Sequence, residues 1–250
     1  MATVLTAETY WREGPGWCIR GAMAKLYFSY AAMNAGKSTL LLQAAYNYEE
    51  RGMTALLFTS ALYSTNGEGR IASRIGVSAP AQAYDASTEL YKAIQRRSRR
   101  GRIDCVMVDE AQFLSSAQVW QLARVADQLD IPVMCFGLRT DFQGKLFEGS
   151  AELLAIADSL REIRTICHCG SKATMVVRRD KAGRALVSGR QVGIEKDMYV
   201  SLCRKHWMEE THRSATRRQA AQAGEPTPGR PRKPTIKRQR QPSAGISDRR

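Results

Sequence analysis

The sequence lacks any run of about 18 to 20 uninterrupted apolar residues, the length that a membrane-spanning helix requires. Its first residues also lack the basic segment followed by an apolar segment that is typical of a signal peptide. Cysteine is scarce, with six residues in 250, and the uneven spacing excludes a disulfide scaffold. These absences predict a cytoplasmic protein with no membrane partner.

Acidic residues are also few, with 24 Asp and Glu against 38 Lys and Arg, for a net charge of +14. The excess is concentrated in residues 213–250, where eleven Lys and Arg face two acids, a net charge of +9. That tail is poor in large apolar residues, so it is predicted to be a disordered basic tail that binds nucleic acid only non-specifically. The basic run at 96–102 is predicted to be a solvated end of a helix.

Apolar segments of strand length alternate with helical patterns over residues 25–163. Strands are predicted at 25–30, 53–59, 103–108 and 132–138, and helices at 88–97 and 118–129. This alternation predicts an α/β fold in which a parallel sheet is flanked by helices.

The two ends of the chain differ from this central region. Residues 1–24 show no period and are predicted to be a disordered extension. After about residue 163 the pattern changes to short strands and turns interrupted by cysteines. This change predicts a small metal-stabilised domain over 164–212.

A short loop containing Gly36-Lys37-Ser38 follows the first predicted strand and precedes a helical pattern. Strand, tight loop and helix are the context expected of a phosphate-binding loop, although Ala31 stands where the consensus has glycine. In such a loop, backbone N–H groups and the helix end hold the phosphates, Lys37 reaches the β and γ phosphates, and the Ser38 hydroxyl binds magnesium. The predicted phosphate-binding residues are Asn34, Ala35, Gly36, Lys37, Ser38 and Thr39.

Two adjacent carboxylates, Asp109 and Glu110, end the predicted strand at 103–108. In phosphate-loop proteins the first acid at such a strand end organises the magnesium shell, and the next can act as a base toward a hydroxyl or water. Asp109 is therefore assigned with Ser38 to magnesium and ATP, and Glu110 is the predicted catalytic base. Together with the loop, they predict a protein that binds a nucleoside triphosphate and cleaves or transfers its γ-phosphate.

Two short pairs of metal-ligating residues, Cys167 with Cys169 and Cys203 with His206, are separated by 33 residues. Two such pairs can close on one tetrahedral zinc, and four protein ligands make a zinc site structural rather than catalytic. The C-x-C pair is one residue tighter than the usual knuckle, so His168 is an alternative ligand.

Over about residues 24–209 the chain resembles the zinc-containing, phosphate-loop type of thymidine kinase. The shared stretches lie at 27–30, 33–39, 108–114, 137–142, 165–167 and 199–206, and they include Val108-Asp109-Glu110-Ala111-Gln112-Phe113-Leu114 and Gly137-Leu138-Arg139-Thr140-Asp141-Phe142. The resemblance implies a P-loop (RecA-like) parallel sheet with a small zinc-binding lasso domain. It also implies phosphorylation of the 5′-hydroxyl of thymidine or deoxyuridine with ATP, Mg²⁺ and Zn²⁺, by a homotetramer that dTTP inhibits.

Carried over by position, the resemblance assigns Glu110 as the base that accepts the 5′-hydroxyl proton. Tyr199 contacts the nucleoside, and a lasso at about 192–198 covers the base. Apolar and aromatic walls suit a flat base, and the residues that form them are Met33, Phe113, Leu138, Phe142 and Phe147.

Two departures from the family pattern leave alternatives open. Gly193-Ile194-Glu195-Lys196 replaces paired glycines in the lasso, and Tyr63-Ser64-Thr65 replaces an acid and an arginine that serve the magnesium and the phosphates. Arg70 or Arg74 is a candidate replacement for that arginine. The alternative interpretation is therefore a nucleotide-binding relative of the thymidine kinases with weakened or lost catalysis.

A further alternative is a nucleic-acid-stimulated ATPase, suggested by the acid box at 109–112 and the basic tail. The length of the chain argues against this alternative, because such motors need two domains of the phosphate-loop type and 250 residues have room for one.

Overall fold

A computed structural model describes residues 23–63, 69–191 and 199–222 of the chain. The predicted extension before Met23, the stretch at 64–68, the lasso at 192–198 and the tail from 223 onward lie outside these ranges, as do the side chains of 63 and 217–222. Within the described ranges, every helix is too short or too polar to cross a lipid bilayer.

Twelve strands and five helices make up the described chain. In chain order they are β1 (Leu26–Ala31), α1 (Lys37–Glu49), β2 (Ala55–Ser60), β3 (Arg70–Ala72), β4 (Ser78–Pro80), β5 (Gln82–Tyr84), α2 (Leu90–Ser98), β6 (Cys105–Val108), α3 (Ser116–Leu129), β7 (Val133–Leu138), α4 (Glu148–Ile156), β8 (Ser159–Glu162), β9 (Thr165–Ile166), β10 (Lys172–Ala173), β11 (Met175–Arg178), β12 (Tyr199–Leu202) and α5 (Arg204–Gln222). Two single 3₁₀ turns lie at Ala61–Tyr63 and Ala111–Phe113.

The central sheet has six strands in the order β5-β2-β6-β7-β1-β8, and every neighbouring pair is parallel. Helices α2, α3 and α4 cover one face, where they pack on Phe58, Val106 and Val108, and α1 covers the other face over Leu57 and Met107. Because both faces are covered, the strands are apolar along their whole length, which is typical of parallel sheets. The predicted α/β fold is confirmed.

A capping box starts α3 and joins it to the chain before α2. The Ser115 hydroxyl accepts a hydrogen bond from the Gln118 N–H, and the Gln118 side-chain oxygen accepts one from the Ser115 N–H. The Gln118 amide also donates to the carbonyls of Asp85 and Thr88, at 2.7 and 3.0 Å. This buried glutamine therefore has a purely structural set of partners.

The carboxyl ends of the central strands meet at one edge of the sheet. The loop after β1 contains the predicted phosphate-binding residues, Thr59 lies near the end of β2, Asp109 directly follows β6, and Leu138 ends β7. In open parallel sheets, ligands bind at this edge. The strand order therefore brings together residues that are up to about a hundred positions apart in sequence.

A small module follows the sheet, consisting of the antiparallel pairs β9–β10 and β11–β12 and the helix α5. Its buried cluster consists of Cys167, Ala173, Val177 and Leu202. The indole N–H of Trp207 lies 3.1 Å from the carbonyl oxygens of both Phe142 and Val176. The module is thus hydrogen-bonded to the loop that follows β7.

The predicted start of disorder at residue 213 is wrong, because α5 continues to Gln222. Residues 213–222 consist largely of Ala, Arg and Gln, which have high helix propensity and extend a helix already anchored through Trp207. The boundary between the sheet and the module, predicted near residue 163, stays a prediction.

Candidate active site and metal cluster

The loop between β1 and α1 forms a cradle of backbone groups. Gly36 has a φ of 83° and Asn34 a φ of 61°, so both lie in the left-handed region, which glycine adopts without steric cost. No side chain caps the start of α1, which begins at Lys37. The first N–H groups of that helix therefore remain available, and they favour an anion such as phosphate.

Lys37 is buried, with 8% of its surface exposed, and its Nζ donates to the Ala32 carbonyl oxygen at 3.4 Å. Burial lowers the pKa of the ammonium, while the charges of Glu110 and Asp109 act in the opposite direction. A buried cation held in this way can interact strongly with a phosphate, because little water screens it.

Asp109 is buried beside Ser38, whose hydroxyl donates to Oδ2 at 2.8 Å. The other oxygen, Oδ1, is buried and has no hydrogen-bond partner among the described residues. Burial first, and the charge of Glu110 second, raise the pKa of Asp109 to about 6. An unpartnered carboxylate oxygen beside a hydroxyl is a donor set that Mg²⁺ prefers, so these residues fit the predicted magnesium site.

Glu110 is held at both its backbone and its side chain. Its backbone is left-handed, with φ 54° and ψ 36°, an unusual conformation for a residue other than glycine. The Tyr84 hydroxyl donates to the Glu110 carbonyl oxygen at 2.8 Å, and the Gln112 amide donates to the Glu110 carboxylate at 2.5 Å. The carboxylate thus occupies a defined position directly after β6.

A cavity of about 300 Å³ opens between this loop and β3. Among the residues that line it are Met33, Thr59 and all of the predicted phosphate and acid residues, which are Asn34, Ala35, Gly36, Lys37, Ser38, Thr39, Asp109 and Glu110. Arg70 and Arg74, the candidate replacements for the family's arginine, also line it. The residues that the sequence predicted for phosphate and magnesium therefore lie together in the lining of one cavity.

A second, apolar cavity lies beside the first and shares Met33 with it. All six residues predicted to bind the nucleoside line it, namely Met33, Phe113, Leu138, Phe142, Phe147 and Tyr199. Its volume is about 20 Å³, which has room for about one water molecule.

Several residues near the site were not assigned a role from the sequence. Thr140, Asp141, Val176 and Gln191 line the apolar cavity, and Gln112 contacts Glu110. Asp141 is a turn residue, because its Oδ1 accepts the N–H groups of Gln143 and Lys145 at 2.8 and 2.9 Å. For Gln112, the sequence signal was a polar side chain between the apolar residues Ala111 and Phe113, directly after the two acids.

The predicted metal ligands converge in the small module. The ligand atoms of Cys167, Cys169, Cys203 and His206 all lie within 4.8 Å of one another. His206 Nδ1 is 3.4 Å from Cys167 Sγ and 3.3 Å from Cys203 Sγ, and the sulfurs of Cys169 and Cys203 are 3.9 Å apart. Ligands around a tetrahedral zinc are separated by about 3.5 to 3.8 Å, so three sulfurs and one nitrogen fit that ion.

His168, the alternative ligand, is not part of this group of four. Its ring lies against that of His206 instead, with the ring centroids 4.3 Å apart. The tight C-x-C spacing therefore brings both cysteine sulfurs to the cluster without help from the histidine between them.

The six-stranded parallel sheet, the cradle before α1 and the acids after β6 define a phosphate-loop nucleotide-binding protein of the α/β class. Comparison with known families refines this class, because the family described as "Thymidine kinase" matches residues 24–207. The chain belongs to the thymidine kinase family.

Individual relatives agree with this assignment. The thymidine kinase of Mesorhizobium japonicum is 60% identical over 193 residues, covering 77% of this chain and 95% of that protein. The thymidine kinase of Rhizobium meliloti is 62% identical over 188 residues, with 74% and 96% coverage, and that of Vibrio vulnificus is 55% identical over 188 residues, with 75% and 98% coverage. The resemblance inferred from the sequence motifs is confirmed.

Proposed function

We propose that this protein transfers the γ-phosphate of ATP to the 5′-hydroxyl of thymidine, and of deoxyuridine, as a step in the salvage of pyrimidine deoxynucleosides. The observation that carries the proposal is the junction at Met33, which lines both the phosphate cavity and the apolar cavity. A nucleoside with its base in the apolar cavity would direct its sugar toward Glu110. The proposal also rests on family membership.

In the proposed reaction, the N–H groups at the start of α1 and the Lys37 ammonium hold the triphosphate. The 5′-hydroxyl oxygen forms a bond to the γ-phosphorus while the bond from that phosphorus to the bridging oxygen of ADP breaks. The Glu110 carboxylate accepts the hydroxyl proton. ADP and the nucleoside monophosphate are the products, so atoms and charge balance.

Ser38 and Asp109 would hold a magnesium ion, in agreement with the unpartnered Oδ1 of Asp109. When bound, Mg²⁺ neutralises charge on the phosphate oxygens. Cys167, Cys169, Cys203 and His206 would hold a structural zinc, since four protein ligands leave no open position for a substrate.

Base recognition would depend on the apolar cavity. Phe113 and Phe147 meet edge to face there, with ring centroids 5.8 Å apart, and both line the cavity. Flat aromatic walls favour a pyrimidine ring, which has two apolar faces and polar edges.

A relative that binds nucleotides but has lost catalysis remains the second candidate, because Tyr63-Ser64-Thr65 lacks the acid and the arginine of the family pattern. Arg70 and Arg74 line the phosphate cavity and supply positive charge on that side. We therefore infer that transfer is retained.

The direct test is to incubate the purified protein with ATP and Mg²⁺ and with each deoxynucleoside in turn, and to separate the products by chromatography. We expect monophosphate from thymidine and deoxyuridine and none from purine deoxynucleosides. Binding of ATP and thymidine without any monophosphate would support the second candidate. ATP hydrolysis that depends on single-stranded DNA would instead support the nucleic-acid-stimulated ATPase.

The family resemblance also implies a homotetramer, inhibition by dTTP and a cytoplasmic location, where ATP is available. These stay proposals. Sedimentation analysis tests the first, and inhibition of the thymidine assay by dTTP tests the second.

A further inference from the structure

Gln112 is a buried polar side chain whose two amide ends contact different parts of the candidate site. Its Oε1 accepts the backbone N–H of Leu138 at 2.9 Å, and its Nε2 donates to Glu110 Oε2 at 2.5 Å. A backbone N–H can only donate, so the oxygen end of the amide must face Leu138. The NH₂ end must then face Glu110, where it meets a carboxylate that can only accept when ionised.

The surrounding packing leaves this amide little freedom. Gln112 is 2% exposed. A Cβ at Gly137 would lie 3.0 Å from both the backbone nitrogen and Oε1 of Gln112, and 3.3 Å from the Phe28 ring. The absence of a side chain at Gly137 therefore provides the space in which the Gln112 amide sits.

Leu138 is held from its other side as well. The Ser150 hydroxyl, on α4, donates to the Leu138 carbonyl oxygen at 2.5 Å. Leu138 lines the apolar cavity, whereas Glu110 lines the phosphate cavity. The Gln112 side chain thus joins the wall of one cavity to the carboxylate in the other.

The backbone of Glu110 is held separately, through the bond from Tyr84 to its carbonyl oxygen. That bond leaves the side-chain torsions of Glu110 free. The Gln112 amide restricts them, because a charge-assisted hydrogen bond selects one position of the carboxylate.

We propose that Gln112 is a positioning residue that holds the Glu110 carboxylate at a set place relative to the Leu138 wall of the nucleoside cavity. The proposal rests on the proposed function, in which Glu110 accepts the 5′-hydroxyl proton. Because proton transfer requires hydrogen-bonding distance, small displacements of a base lower the rate of the chemical step. Gln112 therefore affects turnover without touching the substrate.

The first test compares Gln112→Met with Gln118→Met. Gln118 is a matched control, since it is also 2% exposed and its amide also binds backbone groups, but it lies away from both cavities. We expect both variants to lose thermal stability, while only Gln112→Met lowers kcat, by about 10- to 100-fold. Its KM for ATP should stay within about threefold of the original value, because Gln112 does not line the phosphate cavity.

Gln112→Glu is the second variant, because it keeps an acceptor for the Leu138 N–H but places a second carboxyl group against Glu110, where the two groups repel each other or share a proton. We expect its kcat to fall at least as far as that of Gln112→Met. A kcat within about twofold of the original in both Gln112 variants would overturn the proposal, and so would an equal loss in Gln118→Met.

A crystal structure of Gln112→Met separates this proposal from the proposed function. We expect the Glu110 carboxylate to move by about 1 Å or to adopt several rotamers. An unchanged, ordered carboxylate overturns the positioning role whatever the activity. Failure of the unaltered protein to make any monophosphate contradicts the proposed function, and the carboxylate displacement then still decides the role of Gln112.

Discussion

The parallel sheet and the small module both contribute to the candidate site, but different interactions stabilise them. Two large clusters of buried side chains stabilise the sheet and its helices, whereas the buried cluster of the module has four members, one of which is the predicted metal ligand Cys167. A region with so small a core depends on other constraints, and a bound metal is a common one. We therefore expect the sheet to stay folded when a functional side chain is lost, and the module to unfold when a metal ligand is lost.

The two regions also differ in how buried polar groups affect stability. In the sheet, the predicted site residues Lys37 and Asp109 are buried at a cost to the stability of the fold, because burial acts against the charged form of each. In the module, the polar groups converge on one point, where a metal would satisfy all four at once. Function and stability should therefore oppose each other in the sheet and coincide in the module.

The largest expected effect is in the module. Cys203→Ser should remove about one zinc per chain and unfold the described parts of the module, residues 165–191 and 199–222, while the sheet stays folded, because zinc binding contributes on the order of 10 kcal/mol to such sites. Metal analysis and hydrogen exchange measure both effects. Cys135→Ala is the control, since Cys135 is a buried free thiol in β7 and its loss should leave the metal content unchanged. Active protein without zinc would contradict the prediction.

Glu110→Gln, a change in the sheet, should lower activity without unfolding the protein. We expect kcat to fall by about 10²- to 10⁴-fold, because the base is lost, with little change in folding stability or in the KM for ATP. Lys37→Ala makes a useful comparison, because it should weaken ATP binding itself. Near-normal turnover of Glu110→Gln at saturating substrate would show that the base is a different residue.

Asp109→Asn is expected to have a smaller effect on folding stability, and to raise it rather than lower it. The variant should stabilise the magnesium-free protein by on the order of 1 kcal/mol at pH 7.5. It should also remove magnesium-dependent transfer. The pKa of Asp109 is raised from 3.8 to about 6, so the ionised form is disfavoured in the folded state. The stability that Asp109 contributes is therefore present below pH 4 and lost as the pH rises through about 6.

Thermal melts of Asp109→Asn and the unaltered protein at pH 7.5 and 5 test this sign. The advantage of the variant should shrink at the lower pH, where Asp109 becomes protonated in the unaltered protein. An advantage that grows on acidification would contradict the assigned direction of the pKa shift.

The smallest effect is expected beyond the module. Deleting residues 223–250 should leave the KM values for ATP and thymidine within about twofold, because the family match ends at residue 207. The deleted segment holds eight Lys and Arg against two acids, so its loss should weaken salt-sensitive binding to single-stranded DNA. A KM for ATP raised about tenfold would contradict this prediction and show that the tail contributes to ATP binding.

Contiguous motifs determined much of this protein from the sequence alone. The phosphate loop, the acids after β6 and the two ligand pairs are each defined within a few residues, so strand, loop and helix order was enough to assign them. The edge strands β5 and β8, the hairpin β3–β4 and the helix α4 were not predicted, because short or half-exposed segments show weak periodicity. The helix α5, from Arg204 to Gln222, was not predicted either, because composition alone does not reveal the anchor at Trp207.

Only the tertiary structure decided how these motifs cooperate. Met33 lies at the junction of the two cavities because the strand order places β1 beside β7. Gln112 reaches Leu138 across 26 positions of sequence because the same order places β6 beside β7. Contacts of this kind depend on strand order, register and the space left by Gly137, none of which is encoded in a local pattern. The sequence was enough to predict which groups perform the chemistry, and the packing of the sheet decided where each of them is held.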